Sequence, residues 1–261
     1  MATTQSLDVP GARLRYEVRG TGPLLLVMGS PMAAAHFAPL ADALAGDHTV
    51  VTHDPRGISG SRVDDPDQDS TPELRADDVA ALLDALGAES ADVFGSSGGA
   101  VTGLALVPRH SGRVRTLVAH EPPLLELLPD ALERRVATDD IVETFHREGV
   151  AAAWGKFMAV NGVVDPPPQG ESAEQDLADS ARFFGHELRG TTRYVPDIAA
   201  LRAAPARVVV GIGADSGGLD TYQTSTALAE LLGTSPVEFP GGHGGFLDHP
   251  KEFADVLRTV L

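Results

Sequence analysis

Short β-rich runs alternate with longer helical patterns along most of this chain, and that alternation limits the folds open to it. Strands are predicted at residues 23–28, 49–53 and 91–94, with helices at 33–45 and 74–86. Parallel strands need long crossover connections, which helices supply. The sequence therefore predicts an α/β fold, with a mostly parallel central sheet and helices on both faces.

The alternation is interrupted in the second half of the chain. From residue 122 to residue 204 the pattern is helical without a clear strand, and the run Pro166-Pro167-Pro168 predicts a loop. The division predicted is a core domain in two parts, residues 1–121 and 205–261, with a helical cap at 122–204. Such an insertion is either a lid over a pocket or a plain structural extension.

The charge balance narrows the classes of partner. The chain has 20 Lys and Arg against 37 Asp and Glu, which gives a formal net charge of −17. This acidity disfavours nucleic acids and anionic membrane surfaces, because both require a basic face. Residues 1–10 are polar and lack the apolar segment of a signal peptide, so a cytoplasmic location is expected. The oligomeric state, a homodimer included, is left open.

Residue counts narrow the chemistry as well. The chain has no cysteine, which excludes a disulfide scaffold, a zinc-thiolate site and a cysteine nucleophile. It has no His-x-x-x-His pair, and no P-loop lysine accompanies its glycine-rich turns. We therefore expect no metal and no cofactor, and a small molecule as the partner.

The most informative motif is Gly-Ser-Ser-Gly-Gly at residues 95–99, which fits G-x-S-x-G with Ser97 at its centre. Ser96 does not fit, because Phe94 stands two residues before it. The motif follows a predicted strand and begins a predicted helix at 98–107. Small residues on both sides allow a sharp turn from which a nucleophilic serine projects. In a chain with 28 glycines, a plain glycine-rich turn is the alternative.

A serine hydroxyl requires a base to take its proton. His243 is the candidate, because it lies in the run Phe-Pro-Gly-Gly-His-Gly-Gly at residues 239–245, just past the last predicted strand. A glycine-rich loop at that place can bring the imidazole to the serine. The sequence therefore predicts that Ser97 and His243 act as nucleophile and base.

Together these motifs resemble the α/β-hydrolase superfamily, over nearly the whole chain and least over the cap. The run Met-Gly-Ser at 28–30 stands where the family has its His-Gly-x oxyanion segment. Residues 54–61 resemble the family's Asp-x-x-Gly-x-Gly-x-Ser loop, with Ser59 in place of a glycine. The resemblance implies an α/β-hydrolase fold with a helical cap, and an oxyanion hole made by the backbone N–H groups of Ser30 and Gly98.

The resemblance leaves two candidates for the acid that holds the imidazole in its reactive tautomer. Asp215 follows the penultimate predicted strand, where most α/β-hydrolases have this acid. Glu121 follows the strand after the elbow, in the run His-Glu-Pro at 120–122, and lies 24 residues after Ser97. This run is similar to that of the zearalenone-type lactone hydrolases, whose acid is a glutamate at this place. Those enzymes lack an aspartate at the place of Asp215, whereas this chain has one. Both candidates therefore stay open, and Glu121 is favoured.

Apolar side chains of the cap, and of the segment after Glu121, bear on the substrate. If they line the pocket, the substrate is an apolar ester or a macrocyclic lactone. The alternative is that most of them pack the cap onto the core. The candidate pocket residues are Leu124, Leu128, Trp154, Phe157, Met158, Phe183 and Phe184.

The reaction expected from these residues is acyl transfer to water. Ser97 attacks a carbonyl group, His243 takes and returns the proton, and water hydrolyses the acyl-enzyme. The same residues serve carbon–carbon bond hydrolases and cofactor-free perhydrolases of this fold, which are alternatives. A non-catalytic small-molecule-binding member is an alternative from another class.

Overall fold

The structure is a computed structural model, and it describes residues 2–161 and 173–261. Within these residues, nine strands form one sheet. They are β1 (Thr3–Val9), β2 (Ala12–Arg19), β3 (Leu24–Met28), β4 (Thr49–His53), β5 (Arg62–Val63), β6 (Ala91–Ser96), β7 (Val114–His120), β8 (Arg207–Gly213) and β9 (Val237–Phe239).

The strand order is β1-β2-β4-β3-β6-β7-β8-β9, with β5 paired to β2. The pairs of β2 with β1, β4 and β5 are antiparallel, and all pairs from β4 to β9 are parallel. The expected mostly parallel sheet is therefore confirmed. Its antiparallel part lies at the edge formed by β1 and β2.

The helices account for the connections between the parallel strands. Short 3₁₀ helices cover Ala34–Phe37 and Leu125–Leu127. The α-helices in the described residues are α1 (Ala38–Leu44), α2 (Pro72–Ala85), α3 (Gly98–Arg109), α4 (Ala131–Glu148), α5 (Val150–Asn161), α6 (Ala173–His186), α7 (Leu188–Thr192), α8 (Ile198–Ala203), α9 (Asp220–Leu232), α10 (Gly245–Asp248) and α11 (Pro250–Val260).

The central strands are buried on both faces, as β3 illustrates. Successive side chains of a strand point to opposite faces. Leu25 and Val27 pack in the cluster that contains residues of α1 and α11, whereas Leu26 and Met28 pack in the cluster that contains residues of α2, α3 and α9. The near-continuous apolar run in the sequence is thus explained by helices on both faces of the sheet, which confirms the predicted layers.

The segment between β7 and β8 contains helices and no strand among its described residues. It has an apolar core of its own, formed by Ile141, Val142, Ala153, Phe183, Phe184 and Leu188, with Phe145, Trp154 and Phe157 packed against it. Its two ends pack differently, because Leu124 and Leu201 belong to the core of the sheet. The division of the chain at residues 122 and 204 stays a prediction, and the loop predicted at Pro166-Pro167-Pro168 lies outside the described residues.

The amino-terminal edge of the sheet differs from the sequence-based expectation. The strand β1 is absent from it, because most of its side chains are exposed and its alternation is weak. It pairs with β2 alone through a hairpin whose turn contains Gly11 at φ 75°. The last helix begins at Pro250, with Pro at its first position, where no backbone N–H is needed.

No helix in residues 2–161 or 173–261 combines the length and hydropathy required to cross a bilayer.

One buried ion pair connects the loop after β4 to α2. Arg56 and Asp78 are 1% and 3% exposed, and the guanidinium donates to both carboxylate oxygens, at 2.8 Å from Nε and 2.6 Å from an Nη. Removing one member leaves the other charge buried without its partner.

We expect Asp78→Ala to lower the free energy of unfolding by about 3–5 kcal/mol. The matched control is Asp77→Ala, which breaks the pairs of half-exposed Asp77 with Arg109 and His110 and is expected to cost at most about 1 kcal/mol. Urea unfolding of the three proteins measures both values. Equal losses in the two variants would contradict a structural role for burial of the Arg56–Asp78 pair.

Candidate active site

Ser97 and Glu121 follow the ends of two neighbouring parallel strands. Ser96 of β6 pairs with His120 of β7, and His120 pairs in turn with Gly211 of β8. Because the strands run in register, the residues that follow them meet at the carboxyl edge of the sheet. This edge is where open α/β sheets bind their ligands.

The turn at Ser97 has the backbone of a nucleophile elbow. Ser97 lies at φ 55° and ψ −122°, between the end of β6 and the start of α3, and its N–H donates to the carbonyl oxygen of His120 at 2.9 Å. A β-carbon at Gly95 would lie 2.5 Å from the carbonyl oxygen of Gly99, and one at Gly99 would meet that of Met28. The two glycines of the motif are therefore required by close backbone approach.

Glu121 is fully buried and accepts three hydrogen bonds. His243 Nδ1 lies 2.6 Å from Oε2, which also accepts from the hydroxyl of Thr221 at 3.1 Å. The N–H of Gly213 donates to Oε1 at 2.9 Å. The backbone of Glu121 is at φ 49°, in the left-handed region that side chains other than glycine rarely adopt. The structure thus brings Glu121 and His243 together at the cost of local backbone strain.

The electrostatics of the pair determine the tautomer of the imidazole. Burial raises the pKa of the Glu121 carboxyl, but the hydrogen bond and the charge of His243 outweigh burial and lower the pKa to about 2. The carboxylate is therefore ionised and accepts only, so Nδ1 of His243 carries the proton. In the neutral ring this leaves Nε2 with a free lone pair that can accept a proton.

The structure does not place the other candidate acid, Asp215, beside His243. Asp215 is exposed, in the turn after β8, and its backbone N–H donates to the carbonyl oxygen of Gly241 at 3.0 Å. Within the part of the chain that the structure describes, the carboxylate that hydrogen-bonds to His243 is that of Glu121. At the end of β8 it is the N–H of Gly213, and not an acid, that takes part in the arrangement.

Ser30 and Gly98, the residues expected to supply the oxyanion hole, are adjacent. Both are buried, and a β-carbon at Gly98 would lie 2.7 Å from the carbonyl oxygen of Ser30. The loop after Ser30 is held by the buried carboxylate of Asp54, which accepts from the N–H of Ala34 at 2.8 Å and of Gly60 at 3.0 Å. The Asp-x-x-Gly loop thus stabilises the segment that carries Ser30.

His120 is a buried group at the site that the sequence reasoning did not single out. Its ring lies 6.3 Å from that of His243 at an interplanar angle of 22°, and its Nδ1 is 3.1 Å from the hydroxyl of Ser96. Burial lowers the pKa of His120 to about 4, so the ring is neutral near pH 7. Its position directly before Glu121, in the His-Glu-Pro run, is the signal that could have indicated it.

The candidate pocket residues lie mainly in packed interiors. Leu124 is fully buried in the core of the sheet, and Leu128 is 8% exposed. Four aromatic residues form the interior of the cap, where the Trp154 and Phe183 rings stack at 5.8 Å. Met158 is half-buried. The aromatic residues in question are Trp154, Phe157, Phe183 and Phe184.

A cavity of about 300 Å³ lies between the cap helices and the first turn of α9. Of the candidate pocket residues only Phe157 lines it, and Ser97 and His243 do not. Its wall is partly charged, since Asp130, Glu133, Arg134 and Asp220 contribute. The role of the predicted residues in substrate binding stays a prediction. Among the described residues, no three His, Asp or Glu side chains are grouped so as to hold a metal ion.

The lowered pKa of Glu121 predicts a pH-dependent stability. A pKa of about 2, below the usual 4.5, means that the ionised form of Glu121 stabilises the folded protein. This stabilisation is present above pH 4.5, where the unfolded chain is also ionised, and is lost as the pH falls through 2. We expect wild type to exceed Glu121→Gln in unfolding free energy at pH 6, with the difference narrowing between pH 4.5 and 2.

Urea unfolding across that pH range measures the difference, with Asp215→Asn as the control for an exposed carboxylate at the same edge. A difference between wild type and Glu121→Gln that stays constant from pH 6 to pH 2.5 would contradict the assignment.

Known proteins resemble this chain in sequence and in fold. The chain is 36% identical to the uncharacterized hydrolase YraK of Bacillus subtilis (strain 168), over 98% of this chain and 95% of YraK. It is 27% identical to a zearalenone hydrolase of Bionectria ochroleuca, over all of this chain and 98% of that protein. A thermophilic esterase from Thermogutta terrifontis has a similar structure, with a TM-score of 0.76 and 22% identity over 99% and 97% of the two chains.

The match to a family extends over most of the chain. Residues 24–256 fit the alpha/beta hydrolase family, from the first residue of β3 into α11. The expected resemblance and the expected hydrolase class are therefore confirmed. On the sheet order, the elbow and this match, the chain belongs to the alpha/beta hydrolase family and is a hydrolase.

Proposed function

We propose that this protein is a serine hydrolase that cleaves a carboxylic ester or lactone of an apolar small molecule through an acyl-enzyme. The observation that carries the proposal is the 2.6 Å hydrogen bond between His243 Nδ1 and the buried carboxylate of Glu121. This bond fixes the ring in the tautomer whose Nε2 accepts a proton, at the sheet edge that also bears the elbow.

In the proposed reaction, the hydroxyl oxygen of Ser97 attacks the ester carbonyl carbon while Nε2 of His243 takes its proton. The N–H groups of Ser30 and Gly98 stabilise the oxyanion of the tetrahedral intermediate. The intermediate expels the alcohol, which receives the proton from His243, and an acyl-serine remains. Water then attacks the acyl group by the same proton route and releases the acid.

Glu121 is the proposed acid because it is ionised, buried and bonded to the imidazole. Asp215 lies exposed in a turn, where water screens its charge and no hydrogen bond ties it to the ring within the described residues. The carboxylate orients Nδ1–H and stabilises the imidazolium that forms during attack; it does not itself take the proton.

The substrate class is inferred from the relatives. A zearalenone hydrolase and an esterase are among the similar proteins. Carboxylic esters and lactones share the reacting group, so one constellation of residues serves both. We propose no cofactor.

We expect Ser97→Ala to lower kcat for p-nitrophenyl butyrate by about 10⁴-fold or more, because the nucleophile is removed. Intact mass after treatment with a fluorophosphonate should show one adduct in wild type and none in the variant. Ser96→Ala is the matched control: this neighbouring serine does not fit the motif, and its variant should keep the adduct. Unchanged hydrolysis by folded Ser97→Ala would sink the proposal.

We expect Glu121→Gln to lower kcat by about 10³-fold or more, because an amide no longer stabilises the imidazolium. Asp215→Asn should change kcat by less than about 3-fold. Steady-state rates at pH 7.5 decide between the two acids. The concentration of active sites in each variant is measured by active-site titration. A larger loss of kcat in Asp215→Asn than in Glu121→Gln would identify Asp215 as the acid and contradict the proposal.

A further inference from the structure

The hydroxyl of Ser30 is held by the cap. It donates to Oε2 of Glu187 at 2.5 Å, although the two residues are 157 positions apart in the chain. Ser30 is 5% exposed and Glu187 is 1% exposed, so the bond lies inside the protein. Glu187 immediately precedes α7. The cap therefore contacts directly the residue proposed to supply one oxyanion donor.

Arg75 extends this contact to Gly98, the second residue proposed to supply a donor. One Nη of Arg75 lies 3.7 Å from Oε2 of Glu187, and its Nε donates to the hydroxyl of Thr102 at 2.9 Å. The Thr102 hydroxyl donates in turn to the carbonyl oxygen of Gly98 at 3.0 Å. A single buried network thus reaches Ser30 through Glu187, and Gly98 through Thr102 and Arg75.

The network is also anchored on both sides of the junction between core and cap. Arg75 donates to the carbonyl oxygen of Ser70, in the loop before α2, at 2.5 Å. It also donates to the hydroxyl of Thr191, on α7 in the cap, at 2.9 Å. The guanidinium therefore fixes α7, and with it Glu187, relative to the elbow.

Burying the charges of Arg75 and Glu187 costs free energy, so the pair contributes little to the stability of the fold. Arg75 is 3% exposed, and Oε1 of Glu187 is buried without a hydrogen-bond partner among the described residues. A buried ion pair with an unfilled oxygen stabilises a fold less than well-packed apolar side chains of the same volume. A role in geometry accounts for the pair better than a role in stability.

We propose that Arg75 and Glu187 position the oxyanion hole, and that the cap thereby completes the catalytic edge. The inference rests on the proposed function, since it concerns the two donors of that reaction. Arg75 and Glu187 are positioning residues, because they act through Ser30 and Gly98. Donors displaced by about 1 Å lose much of their stabilisation of the transition state, with rate losses on the order of 100-fold.

The test compares Ser30→Ala, Glu187→Ala and the double variant. Each single variant should lower kcat for p-nitrophenyl butyrate about 10-fold or more, with KM changed less than about 3-fold, because binding of the ground-state ester does not need the oxyanion hole. The double variant should be no slower than the slower single variant, within about 3-fold, because both changes remove the same bond.

Glu187→Gln separates positioning from stability. The amide oxygen can still accept from Ser30, so kcat should stay within about 5-fold of wild type, whereas the loss of the charge beside Arg75 should lower the melting temperature. The matched control is Glu143→Ala, which breaks an exposed glutamate–arginine pair in the cap and should change neither value.

Rates are divided by the number of sites that a fluorophosphonate labels at completion. Failure of wild type to take the label would overturn the proposed function, and this inference with it. Full labelling, with wild-type kcat in Ser30→Ala, would overturn this inference alone, even if Glu187→Ala does not fold. Losses that multiply in the double variant would overturn it as well.

Discussion

The buried carboxylate of Glu121 is the interaction on which the rest of the site depends. A carboxylate without water is costly unless its oxygens are filled, and here three donors fill them, from the end of β8, from α9 and from His243. Each donor belongs to an element that follows Glu121 in the chain. The charge thereby holds the carboxyl edge of the sheet, α9 and the His243 loop in one arrangement.

The same edge concentrates the backbone strain of the core. Ser97 and Glu121 both have positive φ, and the residues before them, Ser96 and His120, are paired in register across β6 and β7. The two strands end where their pairing ends, and the backbone turns sharply at the next residue of each strand. Strain of this kind persists only when the surroundings enforce it. Here the parallel sheet and the close glycine contacts of Gly95 supply that constraint.

How far the sequence predicts the structure depends on whether a feature leaves a local pattern. The parallel strands and their helices follow from apolar runs of the right length, and the elbow from small residues around Ser97. The positions of Glu121 and Asp215 in the sequence leave the choice between them open, because each residue follows a strand that ends at the same edge of the sheet. The geometry distinguishes them through burial: Glu121 is enclosed by donors, whereas Asp215 faces solvent.

Some features that the sequence does not predict are made by contacts between residues far apart in the chain. Glu187 lies in a helical stretch with no motif around it, and its partner Ser30 is far away in the chain. The aromatic residues of the cap posed a different problem, because apolar side chains at helical spacing suit a pocket wall and a packed interior equally well. The structure packs Phe183 and Phe184 against Trp154, inside the cap.

Directional bonds add to the apolar packing of Leu124 and Leu201 where the cap meets the core. Apolar packing holds the cap together, but such packing has little directionality. At the junction, Asp179 accepts from the N–H of Ser59, Arg182 donates to the carbonyl oxygens of Pro66 and Gln68, and Glu187 accepts from Ser30. Hydrogen bonds fix distance and angle. Ser59 is part of this junction through its backbone at φ 52°, at the place where the family has a glycine. The polar junction therefore orients an apolar cap relative to the edge where Ser97 lies.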